Sequence, residues 1–223
     1  MSLLAIDTST RSMGLALYQD DRVLLESLWT SPDFHTVELA PAIQQALQRC
    51  QLNVSDISAI AFAIGPGSYT GLRIGLALAK GLAFTHDLPL IAVPTLDILA
   101  AAQPLEDIPL AAVLQAGRTR LAVGHYTVQD GRWAATGEPE LMTLDELSTS
   151  IKKPTLLCGE LYQEERRQLG RKHINVRLAS PANSLRRPAI LAELAWARFL
   201  ADENDLAPGL GPHYVQTQEA IPA

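Results

Sequence analysis

The sequence predicts an α/β protein of mixed sheets flanked by helices, and three observations carry that expectation. Leu3 to Ile6, Met13 to Tyr18 and Arg22 to Trp29 are short apolar runs joined by polar turns, the pattern of an antiparallel meander. Beyond residue 31, helical and strand patterns alternate, which calls for parallel strands covered on both faces. The stretch Ile60 to Ala83, IAFAIGPGSYTGLRIGLALAKGLA, then reads as a buried strand, a tight turn and an apolar helix. Its Gly71, Gly75 and Ala79 recur at every fourth position and share one helix face. A mid-helix glycine costs roughly 1 kcal/mol relative to alanine. These glycines therefore call for a close neighbour, either a bound phosphate or another backbone.

Taken in order, Ser31-Pro32-Asp33 opens a helix whose apolar face is Val37, Ala40, Ile43, Ala46, Leu47 and Cys50. Ile57 to Ile64 is a strand, and Ser68 or Thr70 can cap the helix after the Gly65-Pro66-Gly67 turn. Pro89 to Val93 is a further strand, and Pro94-Thr95 starts a short helix that ends near Gln103. The polar run from Gln103 to Asp107 is the expected boundary, giving lobes 1–103 and 104–223. In the second lobe Ile108 to Leu114, Arg120 to Val128 and the run from Trp133 read as strands, with Asp130-Gly131 as a hairpin turn. Thr143 to Ser150 and Glu160 to Leu169 read as helices, with the strand Thr155 to Cys158 between them. Arg186 to Asn204 is a longer helix with Ile190, Leu191, Leu194, Ala195 and Phe199 inward, and the tail after Pro208 is extended. No strong internal repeat is visible.

Composition narrows the function classes. A chain of 223 residues with 48% hydrophobic and 19% charged residues can bury a sizeable core. Its formal charge of -6 argues against a whole-protein nucleic-acid binder, which needs a basic surface. The cluster Arg166, Arg167, Arg171, Lys172, Arg177, Arg186 and Arg187 reads as a solvated face or, more sharply, as an RNA or partner patch. Cys50 and Cys158 stand alone and support neither a zinc ribbon nor a redox pair. The N-terminus has no basic region followed by an apolar one, and no run approaches the roughly 20 apolar residues of a bilayer span. A cytoplasmic protein is expected.

The chemistry-bearing motifs fit no enzyme template. A P-loop needs lysine and a hydroxyl after its last glycine, whereas Gly71 is followed by Leu72 and Arg73. A dinucleotide fingerprint needs its third glycine one residue earlier than Gly71. Ser68, Thr70 and Arg73 remain candidates for an anion contact at the helix start. Asp7, Thr8, Ser9 and Thr10 form a hydroxyl-rich turn that suits a phosphate or Mg²⁺, and equally an ordinary turn. The five histidines are scattered without ligand spacing, so no metal site is expected. Ser68 lacks the GxSxG elbow, and no catalytic residue is assigned.

LLAIDTST at the N-terminus, FHTVELAP at 34–41, GPGSYTGLRIGLALAKGLA at 65–83 and the following IAVPTLDILA carry a resemblance. The chain resembles the TsaB family of tRNA threonylcarbamoyladenosine biosynthesis proteins, relatives of the sugar kinase/Hsp70/actin ATPases. The resemblance is close over the first hundred residues and looser beyond. It implies two ribonuclease-H-like (actin-like ATPase) lobes and a non-catalytic scaffold subunit. Such a subunit pairs with a TsaD-like catalytic paralogue, which modifies adenosine at position 37 of ANN-decoding tRNAs, and helps recruit a TsaE-like ATPase. The rival readings are an active ATP-dependent phosphotransferase and a metalloprotease. The catalytic paralogue's metal-binding histidine pair is represented only by His35, with Leu39 four residues on.

The resemblance also gives the glycine face a use. The expected partner surface is His35, Leu39, Ile43, Gly71, Leu72, Gly75, Leu78, Ala79 and Leu82, and Gly75→Leu is expected to abolish pairing without unfolding the chain. Asp7 to Thr10 become a degenerate phosphate loop. No cofactor is implied, except a nucleotide at the heterodimer interface. The resemblance leaves room for a homodimer of the free chain and for indirect or weak tRNA contact. Two departures stand out: Gln115-Ala116-Gly117-Arg118 where relatives often read D-A-R, and Tyr214-Val215-Gln216 where they often read Y-L-R.

Overall fold

The structure is a computed structural model that describes residues 1–31, 35–117, 119–172, 174–205 and 210–215, the side chains of His35 and Lys172 excepted. Two compact units emerge. The first is Met1–Ile98 together with Arg186–His213, and the second is built on Leu99–Leu185.

In the first unit, β1 (Ser2–Asp7), β2 (Ser12–Gln19) and β3 (Arg22–Thr30) form the expected meander. Helix α1 (His35–Arg49) follows, then β4 (Ile57–Gly65), α2 (Tyr69–His86), β5 (Leu90–Pro94) and α3 (Thr95–Ala101), within which the second unit begins at Leu99. The sheet order is β3-β2-β1-β4-β5, with β4 parallel to both β1 and β5. Side-chain alternation along β1 divides the core. Leu4 and Ile6 join Leu15, Phe62 and the inner faces of α1 and α2. Leu3 and Ala5 point the other way, into a layer with Ala16, Ala59, Ala61 and Ala63. That alanine-rich face lets a helix approach closely.

The helix that covers it comes from the far end of the chain. Helix α6 (Pro188–Leu200) packs on β1, β2, β4 and β5 and places Leu191, Ala192, Ala195 and Trp196 in this core. The assignment of everything after residue 104 to a second lobe therefore has to be corrected. The expected break lies near the observed one at Ile98/Leu99, but residues 186–213 return to the first unit. The physical reason is the alanine face, which would otherwise remain uncovered. The inward side of α6 is also rotated from expectation: Ala192 and Trp196 are buried, while Ile190, Leu194 and Phe199 are partly buried at its margin. Proline at its first position sets the observed start, two residues later than expected.

The second unit contains β6 (Leu110–Gln115), β7 (Leu121–Gln129), β8 (Arg132–Ala135), β9 (Glu140–Met142), α4 (Leu144–Ser150), β10 (Thr155–Gly159), α5 (Gln163–Lys172) and β11 (Val176–Leu178). Its sheet order is β11-β10-β6-β7-β8, with β9 alongside β7. Counted from its own first strand, this is the order of the first unit, an antiparallel meander followed by two parallel strands on the other side. The repeat invisible in the sequence is thus present in the topology, as two ribonuclease-H-like lobes require. β9 and β11 were not expected, because three-residue strands are too short to show a period. No helix of the described residues is long and apolar enough to cross a membrane.

Candidate functional site

The hydroxyl-rich turn leaves the C-terminal end of β1, in the middle of the first sheet, and is buried throughout residues 7–10. The Asp7 carboxylate is 1% exposed and has partners on both oxygens. Oδ1 accepts from the Ser9 backbone N–H at 2.8 Å and from the Ser9 hydroxyl at 2.5 Å. Oδ2 accepts from Nε of Arg186 at 2.9 Å. The same guanidinium donates through Nη2 to Thr10 Oγ1 at 2.6 Å and to the Ser12 carbonyl at 2.8 Å. A buried pair needs such additional hydrogen bonds to offset its desolvation. Arg186 was expected within a surface basic cluster. Its only distinguishing sign in the sequence is its place just ahead of Pro188 and an apolar helix.

The neighbour that the glycines of α2 demand is this turn. A Cβ at Gly67 would run into the Ser9 carbonyl oxygen, at Gly71 into the Thr8 carbonyl oxygen, and at Gly75 into the Thr8 hydroxyl. Thr8 in turn donates that hydroxyl to the Gly71 carbonyl at 2.7 Å, and the Ser68 N–H donates to Ser9 O at 2.6 Å. Gly65, which ends β4, has φ +124° and a Cβ position blocked by the His213 carbonyl. Only glycine fits these approaches without displacement.

The expected partner surface must be redrawn accordingly. Gly71, Leu72, Gly75 and Ala79 are buried within the first unit, as are Leu39 and Ile43. A leucine at 75 would collide with Thr8, so the expected innocence of Gly75→Leu toward the fold is wrong. The side chain of His35 lies outside the described residues, as does Gln216. Leu78 and Leu82 are half-buried and, with the rim of Ile43, line a groove of about 340 Å³ between α1 and α2. Among the described residues, none that lines this groove is charged. The outward face of α2 is Tyr69, Arg73, Ala77, Gly81 and Phe84, the last 92% exposed.

Of the anion candidates, Ser68 caps α2 by accepting from the Gly71 N–H, and Thr70 is exposed beside it. Arg73 lies over the Tyr69 ring at 3.8 Å. Several residues of the basic cluster have partners of their own, as the buried Arg186 has. Arg166 donates to the Ala179 carbonyl, Arg167 pairs with Glu164, and Arg177 pairs with Glu106. Arg187 binds Glu26, whose carboxylate pushes the arginine pKa up. In the second unit Gln115, at the strand end equivalent to Asp7, donates to Glu165 Oε2 at 2.8 Å and to the Glu160 carbonyl at 3.2 Å. An acid there would face Glu165, which accounts for the amide. Among the described residues no cluster of three or more His, Cys, Asp or Glu side chains is placed to hold a metal ion.

Known proteins share this architecture. The family model for TsaD, tRNA N6-adenosine threonylcarbamoyltransferase, matches residues 31–179. The Bacillus subtilis (strain 168) tRNA threonylcarbamoyladenosine biosynthesis protein TsaB is 33% identical over 227 residues, covering 99% of this chain and 96% of that protein. The Escherichia coli (strain K12) protein of the same name is 41% identical over 100 residues, covering 45% of this chain and 43% of that protein. YeaZ from Pseudomonas aeruginosa superposes with a TM-score of 0.76 at 27% identity, over 96% of this chain and 100% of that one. With its two lobes and a near full-length match to a named relative, the chain belongs to the TsaB family of tRNA threonylcarbamoyladenosine biosynthesis proteins.

Proposed function

We propose that the chain is a non-catalytic subunit of the machinery that makes N6-threonylcarbamoyladenosine at position 37 of ANN-decoding tRNAs. It pairs there with a TsaD-like catalytic paralogue and helps recruit a TsaE-like ATPase. The observation that carries the reading is the groove between α1 and α2, whose lining includes the exposed Ala40 and Gln44, together with the outward face of α2 that carries the exposed Ala77 and Gly81. Small residues let a partner helix come close, charges are depleted as in an interface core, and Phe84 supplies an aromatic anchor. The catalytic role falls to the paralogue because the carboxylate at the end of β1 is committed to Ser9 and Arg186. In the absence of the paralogue the same face suits a homodimer, and any nucleotide belongs to the heterodimer interface.

The test is binding to the purified paralogue. Ala77 is exposed, so Ala77→Arg leaves the core untouched and is expected to weaken pairing at least tenfold, a loss of about 1.4 kcal/mol. Unchanged affinity in a variant that melts like the wild type would remove the groove face from the interface. An ATPase assay on the isolated chain separates subunit from phosphotransferase, since sustained turnover without the paralogue belongs only to the latter.

A further inference from the structure

The surroundings of Arg186 are those of a ligand. Among the described contacts, oxygens of residues 7, 10 and 12 converge on its guanidinium: a carboxylate, a hydroxyl and a backbone carbonyl. The group they surround arrives from 174 or more positions away in sequence, and its side chain is 1% exposed. The carboxylate's other oxygen is held by Ser9, so the cradle is oriented by the turn as well as by the cation. A planar guanidinium suits such spaced oxygens better than a point charge, because its donors diverge in fixed directions.

We propose that Asp7 Oδ2, Thr10 Oγ1 and the Ser12 carbonyl form a guanidinium-binding site which the chain fills with its own Arg186. Filled in this way, the turn is complete without a metal ion or a phosphate. Its neighbour Thr8 then holds Gly71 and the start of α2 in place whether or not any nucleotide is present. The assignment concerns the turn itself and stands independently of the pairing proposed above.

Chemical rescue tests it. Arg186→Ala empties the cradle and is expected to melt well below the wild type. Methylguanidinium chloride at tens of millimolar should then raise its melting temperature saturably, as ligand linkage requires. Methylammonium at equal concentration should not do so, nor should methylguanidinium raise that of the double variant Asp7→Asn/Arg186→Ala. No saturable rise, or an equal rise in the double variant, overturns the site. If Arg186→Ala does not fold, nitrogen-15 spectra of the wild type serve instead. One arginine Nε–H should resist solvent exchange for hours and lose that protection in Asp7→Asn, and the absence of such a resonance overturns the site equally.

Discussion

Thr8 donates its hydroxyl to the carbonyl oxygen of Gly71 at 2.7 Å, and the same hydroxyl occupies the space where a side chain at position 75 would begin. One residue of the turn thus dictates two glycines on the neighbouring helix, Gly71 through its carbonyl oxygen and Gly75 through its hydroxyl. The sequence-level cost of glycine inside a helix is offset by a buried hydrogen bond and by close packing of turn on helix.

Gly75→Ala is expected to destabilise the first unit by about 1–3 kcal/mol, the range of an overpacked core. Gly71→Ala should do at least as much, since the atom in its way is a backbone oxygen that cannot rotate aside. Urea unfolding of each variant gives the number. A change below about 0.5 kcal/mol, the size of a neutral surface substitution, would show that the turn yields freely.

Gly81 reverses the sign. Nothing lies within 4 Å of a Cβ built there, so Gly81→Ala meets open solvent. Alanine should then stabilise α2 by up to about 1 kcal/mol through helix propensity alone. The same methyl group stands on the proposed partner face, so the variant should gain stability in urea while losing affinity for the paralogue. Gain of both would place the partner elsewhere.

The contrast between positions 75 and 81 shows what the sequence holds and what it does not. The spacing of Gly71, Gly75 and Ala79 announced a close neighbour on one helix face, and a close neighbour is there. Its identity was not legible, because Thr8 lies in a turn whose hydroxyls have no period and whose partner, Arg186, is 176 residues from Thr10. The first sheet was legible strand by strand, because alternation and turns are local. The return of α6 was not, since an apolar helix carries no mark of which sheet it will cover. The groove residues Leu78 and Leu82 fell within the expected surface by virtue of the helix they share, while the exposed Ala77, Gly81 and Phe84 did not.

Strand β5 is an edge of the first sheet, and the segment after α6 closes it. Asp205 donates its N–H to the Leu90 carbonyl at 2.9 Å and accepts the Ala92 N–H on Oδ2 at 2.7 Å, while Arg198 donates to the Ala92 carbonyl. An apolar strand left with unpaired backbone groups is a template for pairing with another chain. Asp205→Ala should therefore cost about 2 kcal/mol, as for a hydrogen bond to a charged group. It should also add concentration-dependent association in light scattering. A variant that stays monodisperse at high concentration would mean that the edge is guarded by something else.

Cys158 supplies a pH dependence with a definite sign. It is fully buried in β10, its Sγ lies 3.8 Å from the Leu99 carbonyl, and burial pushes its pKa from 9.0 up to about 12. In the unfolded chain the thiol titrates near its ordinary value, so above about pH 8.5 the unfolded state holds fewer protons than the native one. Stability attributable to this group is complete below that pH and falls as pH rises toward 12, by up to about 1.4 kcal/mol per unit. Cys158→Ala removes the slope. Wild type and variant compared in urea between pH 8 and pH 10 should converge, with the variant less stable at the lower pH because of the small cavity it leaves. Thiol labelling gives a second reading of the same burial. Cys50, only partly buried, should react in the native protein, and Cys158 only once the chain unfolds. Parallel pH profiles, or native labelling of both thiols at similar rates, would contradict the placement of Cys158 in the core.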